Sequence, residues 1–140
     1  LLKQKEPGQK RKKALDITGS ETIMVVDDES TMLASVSQQF QDLGYHVSPF
    51  QNAEKALTAY ARNPEKFDII ITDMTMPVMT GIDLAEKIFK KQPDQHIILY
   101  TGFSDQIDRE TALTAGFSGY YEKPVIIDEL AGLIRSVLVE

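Results

Sequence analysis

Three runs in this chain, IMVV at 23–26, DIIIT at 68–72 and HIILY at 96–100, are apolar at consecutive positions instead of alternate ones. Successive side chains of a strand point to opposite faces, so a run with no polar alternation needs cover on both sides. That requirement selects a parallel sheet between two layers of helices. The intervening segments supply those helices. Leu33, Val36, Phe40 and Leu43 fall on one helical face, as do Ala53, Ala56, Leu57, Tyr60 and Ala61. Leu84, Ala85, Ile88 and Phe89 form a third stripe, and Leu130, Leu133, Ile134, Val137 and Leu138 a fifth. The fourth, 105–115, has the weakest pattern, with only Ile107, Ala112, Leu113 and Ala115 apolar.

Strands are therefore expected at 22–26, 46–50, 68–72, 96–100 and 119–122. Punctuation agrees: Gly44 and Gly116 sit where helices should stop, Asn52 can cap a helix start, and Pro64 and Pro93 fall in connections. Five βα units with right-handed crossovers give an α/β, doubly wound, five-stranded parallel sheet. Ligands of such a sheet bind outside the carboxyl ends of its strands.

Charge separates a tail from a body. Residues 1–20 carry six cationic side chains (Lys3, Lys5, Lys10, Arg11, Lys12 and Lys13) against Glu6 and Asp16, net +4, and read as a basic polar linker. The domain is expected over 21–140, where nine basic face nineteen acidic residues, net −10. An acidic body repels phosphate backbones, so nucleic-acid binding by this domain is disfavoured. With no cysteine and two histidines, thiolate ligation, disulfides and His-rich metal sites are not expected. No apolar stretch approaches the roughly 20 residues that span a bilayer, so a soluble segment without membrane contact is expected.

The strand ends hold the chemistry. Asp27 and Asp28 follow the first strand, Asp73 the third, Thr101 the fourth and Lys123 the fifth. Three carboxylates at one sheet edge repel by roughly 1 to 4 kcal/mol per close pair unless a cation or a proton intervenes. A hard divalent ion such as Mg2+, which takes oxygen ligands, meets that need. If a phosphoryl group arrives, Asp73 can attack it as a nucleophile while Lys123 neutralises its oxygens and Thr101 donates a hydroxyl. Singly, these residues read as a helix cap, a strand threonine and a surface lysine. Their coincidence on successive strand ends outweighs that reading.

VVDDE, DIIITDMTMPVMTG, ILYTG and GYYEKP, in that order and spacing, resemble the receiver domain of two-component response regulators over about residues 21–140. The resemblance implies a flavodoxin-like (βα)5 fold with strand order 2-1-3-4-5 and a cis peptide before Pro124. It implies Asp73 as phosphoacceptor, Asp28 as direct Mg2+ ligand, Asp27 as a ligand mainly through water, and the backbone carbonyl of Thr75 as a further ligand. Thr101 and Lys123 match the phosphoryl-contacting hydroxyl and amine. Pro77 and Gly81 match the loop after the phosphoacceptor, where Pro fixes a turn and Gly supplies unusual dihedrals. Tyr120 matches the switch aromatic coupled to Thr101, with Tyr121 beside it as the competing assignment. Phe103 and Thr75 lie where relatives vary water access, and an apolar Phe103 is expected to prolong the aspartyl phosphate; Gly102 should ease phosphodonor entry.

The implied partner is a histidine kinase or histidine phosphotransfer domain, and the implied output a two-state change in the face built from the fourth helix, fifth strand and fifth helix, which could also dimerise. The basic leader resembles the junction before the C-terminal receiver of a hybrid sensor histidine kinase. That context makes the domain cytoplasmic, tethered at most to a membrane-bound sensor. A receiver of a stand-alone or DNA-binding regulator is the alternative. Other classes fit less well. Haloacid-dehalogenase-like phosphatases place a second Asp where this chain has Thr75, pseudo-receivers lose a carboxylate or the lysine, and no Gly-rich mononucleotide loop is present.

Overall fold

The computed structural model describes residues 16–102 and 107–139. In chain order it places β1 (Thr22–Val26), α1 (Ser30–Asp42), β2 (His46–Phe50), α2 (Ala53–Arg62), β3 (Ile69–Asp73), α3 (Gly81–Lys91), β4 (Ile97–Thr101), α4 (Arg109–Thr114), β5 (Gly119–Glu122) and α5 (Ile127–Leu138). All strand pairs are parallel, in the order β2-β1-β3-β4-β5. This is the 2-1-3-4-5 order that the motifs implied.

Alternation within each apolar run feeds two cores. Ile23, Val25, Ile69, Ile71 and Ile98 pack with Leu33, Val36 and Phe40 of α1 and Leu130 and Ile134 of α5. Met24, Val26, Ile70, Ile97 and Leu99 pack on the other face with Ala56 and Tyr60 of α2, Leu84 and Ile88 of α3, and Ala112 of α4. Every residue of β3 and β4 is buried, which is why those runs carry no polar alternation. The edge strand β2 is only partly covered and tolerates Pro49, whose missing N–H no neighbour needs.

Two strands differ by one residue from the expected 68–72 and 96–100. Hydrogen-bonded pairing runs on through Asp73, opposite Tyr100, and through Thr101, opposite Glu122. Asp68 instead accepts from the Thr22 backbone N–H at 2.8 Å, leading into the sheet. The polar residues thus belong to the strands and are fixed by their ladders.

Helix boundaries follow local chemistry. Gly44 (φ +103°) and Gly116 (φ +107°) end α1 and α4 in the left-handed conformation that glycine adopts freely. Asn52 caps α2 by accepting from Lys55 N at 2.8 Å. Thr80 and Asp83 form a reciprocal capping box at the start of α3. The weak fourth pattern yields a helix of only six residues, capped by Asp108; positions 105 and 106 of that pattern lie outside the described residues.

At the opposite sheet edge from the strand carboxyl ends, residues 16–20 lie against the body. Gly19 N donates to Leu43 O at 3.1 Å. Arg135 of α5 pairs with Glu21 at 2.7 Å and donates to the Tyr45 hydroxyl at 3.2 Å, which in turn donates to Ile17 O at 3.1 Å. No helix among the described residues is long and apolar enough to cross a membrane. Residues 1–15, most of the basic leader, lie outside the described residues.

Candidate functional site at the carboxyl edge of the sheet

Register brings the strand ends together. Val26 of β1 pairs with Thr72 of β3, and Asp73 of β3 with Tyr100 of β4, so Asp27, Asp73 and Tyr100 lie on adjacent strands at one level. Asp27, Asp28 and Asp73 each present a carboxylate oxygen such that these oxygens lie within 4.8 Å of one another. Asp27 is fully buried, Asp73 is 5% exposed, and Asp28 is exposed. Lys123, one residue past β5, brings its Nζ to 3.2 Å from Asp73 Oδ1. One ammonium against three carboxylates leaves an excess of negative charge.

The electrostatics carry that excess. Burial and then the Asp27 charge push the Asp73 carboxyl up to about 6, against the opposing pull of Lys123. Asp27 is held from two sides: Oδ1 accepts from Glu29 N at 2.9 Å, and Oδ2 accepts from the Tyr100 hydroxyl. Hard oxygen donors in excess over nearby cations match what a small divalent ion requires.

Thr101 ends β4 almost fully buried, and its hydroxyl donates to the Tyr120 hydroxyl at 3.2 Å. Tyr120 is itself 5% exposed and donates onward to Ile107 O at 2.9 Å, just ahead of α4. Its ring therefore points inward, and Arg109 of α4 lies 5.7 Å from the ring centre. Tyr121 faces away; its hydroxyl accepts from Ile126 N at 2.9 Å beside α5. Of the two tyrosines, Tyr120 is the one that touches Thr101. Thr75 is exposed, two residues past Asp73, and Phe103 lies outside the described residues.

The loop after Asp73 corrects one expectation. Gly81 was expected to supply unusual dihedrals, yet the left-handed residue of this loop is Val78 (φ 72°), 86% exposed, at the centre of a tight turn in which Met79 N donates to Pro77 O at 2.7 Å. Gly81 is needed for close approach. Its N–H donates to Met74 O at 2.9 Å, and a Cβ there would lie 2.3 Å from the Asp73 carbonyl oxygen. The Lys123–Pro124 peptide is cis, as the resemblance implied.

Sequence reading missed Tyr100. It sat within HIILY as one more strand residue, although an aromatic hydroxyl in an otherwise aliphatic run was the available signal. It is fully buried, its hydroxyl bonds Asp27, and Lys123 Nζ lies 4.9 Å from its ring centre.

Comparison with known proteins agrees with this geometry. The model of the response regulator receiver domain matches residues 23–135. This chain belongs to that family. Among curated relatives of the receiver, a probable transcriptional regulator ycf27 of Guillardia theta is 32% identical over 124 residues, covering 89% of this chain and 48% of that protein. Sensor kinase CckA of Brucella abortus is 30% identical over 131 residues, covering 93% of this chain and 14% of the kinase. The chain thus spans about half the length, or less, of the curated relatives it matches. Among solved structures, the response regulator TrrA of Thermotoga maritima, in complex with Mg(2+)-BeF, superposes with a TM-score of 0.75 at 30% identity, over 84% of this chain and 99% of that one.

Proposed function

We propose that this receiver accepts a phosphoryl group from a phosphohistidine onto Asp73 and passes the signal on by a change of conformation. One observation carries the reading: a buried Asp73 carboxylate held 3.2 Å from the Lys123 ammonium, with Asp27 and Asp28 oxygens within 4.8 Å. In this reading an Asp73 oxygen attacks phosphorus, the phosphorus–nitrogen bond breaks, and its electron pair returns to the donor imidazole, which takes up a proton. Lys123 neutralises one phosphoryl oxygen. Thr101 turns its hydroxyl from Tyr120 toward another.

The three carboxylates and the Thr75 carbonyl are the residues that would hold Mg2+; when bound there, the ion offsets charge on the transferring phosphoryl oxygens. The cluster's hard donor set supports this, as does the TrrA complex with Mg(2+)-BeF. The domain's own contribution is positioning and charge compensation, with Asp73 fixed by the β3 ladder and Lys123 by the turn after β5.

Release of Tyr120 from Thr101 links the site to α4, because the same tyrosine hydroxyl bonds Ile107 O. The face of α4, β5 and α5 is then the output surface and a possible dimer contact. The phosphodonor is a histidine kinase or phosphotransfer domain, which puts the receiver in the cytoplasm. For the whole protein, a hybrid sensor kinase is supported by the match to CckA across 93% of this chain. A transcriptional regulator, the second reading, is favoured by ycf27.

Incubation with acetyl phosphate and Mg2+ followed by intact-protein mass measurement tests the central step. One phosphoryl adduct is expected, absent with EDTA and absent in Asp73→Asn. An adduct that persists in Asp73→Asn overturns the assignment.

A further inference from the structure

The phosphoryl chemistry uses the carboxylates, Thr101 and Lys123, and gives no role to Tyr100, a buried polar side chain that lies against them. Tyr100 is fully buried, yet it touches both signs of charge in the site: its hydroxyl donates to Asp27 Oδ2, and its ring face carries the Lys123 ammonium at 4.9 Å. A buried carboxylate with no bonded partner is costly, and a hydrogen bond to a charged group is stronger than one between neutral groups. Asp27 already gives its other oxygen to Glu29 N at 2.9 Å. Between them the two donors fix the rotation of the Asp27 carboxylate and leave only its remaining lone pairs to face Asp73 and Asp28. Asp28, one residue on, is exposed.

We infer that Tyr100 is a positioning residue of the metal site, orienting Asp27 through its hydroxyl and Lys123 through its ring. The inference rests on the proposed metal-assisted phosphoryl transfer. Its logic is that of outer-shell partners generally, whose loss lowers metal affinity ten- to a hundred-fold although they touch no metal. The two contacts belong to different parts of one side chain and can be removed separately. Tyr100→Phe deletes the hydroxyl and keeps the ring; Tyr100→Leu deletes both.

Mn2+ binding, followed by the electron paramagnetic resonance signal of free Mn2+, reads the first contact directly. Affinity is expected to fall about tenfold in Tyr100→Phe. Phosphoryl uptake from acetyl phosphate at saturating Mg2+ reads the second: it should be several-fold slower in Tyr100→Leu than in Tyr100→Phe. Because a core tyrosine also supports packing, the Phe substitution is repeated in Asp27→Asn. Positioning through Asp27 predicts no further loss of Mn2+ affinity there, whereas a packing effect lowers affinity in both backgrounds. Wild-type affinity retained in Tyr100→Phe, or an equal loss in both backgrounds, overturns the role of Tyr100 while leaving the phosphoacceptor reading intact. A wild-type protein that binds no Mn2+ and takes up no phosphoryl group overturns both.

Discussion

Replacing Asp73 by Asn should stabilise the metal-free protein, because the native fold holds this carboxylate where its charge is unfavourable. Burial and the neighbouring Asp27 raise its pKa from 3.8 to about 6. A rise of that size corresponds to about 3 kcal/mol of destabilisation once the group is ionised in both states. The folded state binds the proton more tightly than the unfolded chain. The cost is therefore complete above the folded pKa and is relieved as the pH falls, to about half near pH 5 and under about 1 kcal/mol near pH 4. Asn carries no charge but gives up the 3.2 Å pairing with Lys123. That pairing already acts in the raised value, which Lys123 pulls downward, so its loss is contained in the figure of about 3 kcal/mol and is not subtracted again. The net expectation is a gain of about 3 kcal/mol at pH 8. Urea unfolding of both proteins in EDTA, followed by circular dichroism from pH 8 down to 4, measures it. The gap should narrow steadily with acidification. An Asn variant no more stable than wild type at pH 8, or a gap independent of pH, would refute the electrostatic account of the site.

Divalent ions should narrow that gap: at Mg2+ tenfold above its dissociation constant the wild type gains about 1.4 kcal/mol, read as a rise in Tm that Asp28→Asn and Asp73→Asn lack. Gly81→Ala would place a methyl 2.3 Å from the Asp73 carbonyl oxygen, so it should lose about 1–3 kcal/mol in urea unfolding and slow phosphoryl uptake by shifting the acceptor's backbone. Arg135→Ala removes the pair with Glu21 and the bond to Tyr45 and should cost about 1–2 kcal/mol by the same assay. The Arg135 hydrogen bond holds the Glu21 carboxyl below its usual value. The wild-type advantage over Arg135→Ala is thus present above the ordinary Glu range and disappears as pH falls through the lowered value. An advantage that grew on acidification would contradict the pairing.

What the chain alone determined is what local periodicity and chemical type encode. Uninterrupted runs such as DIIIT demand cover on both faces, glycines at 44 and 116 mark helix ends by the backbone freedom of glycine, and the order of Asp27, Asp28, Asp73, Thr101 and Lys123 along successive strand ends marks a candidate site at that edge. The short fourth helix was foreshadowed by its thin apolar pattern. What tertiary structure decided depends on register between distant segments. Tyr100 meets Asp27 across 73 positions with β3 between their strands, and Arg135 meets Glu21 across 114. Neither partner can be read from the local sequence, although a tyrosine in the aliphatic run HIILY marks position 100 as unusual. Gly81 was visible as a required glycine, but only the packed loop shows that the requirement is room beside the Asp73 carbonyl, since its cause is a neighbour's backbone and not its own dihedrals. Tyr120 and Tyr121, equivalent as letters, were separated by the pleat, which sends one to Thr101 and the other to α5. Side-chain type and spacing fix which residues end the strands; the ladder of hydrogen bonds fixes which of them touch.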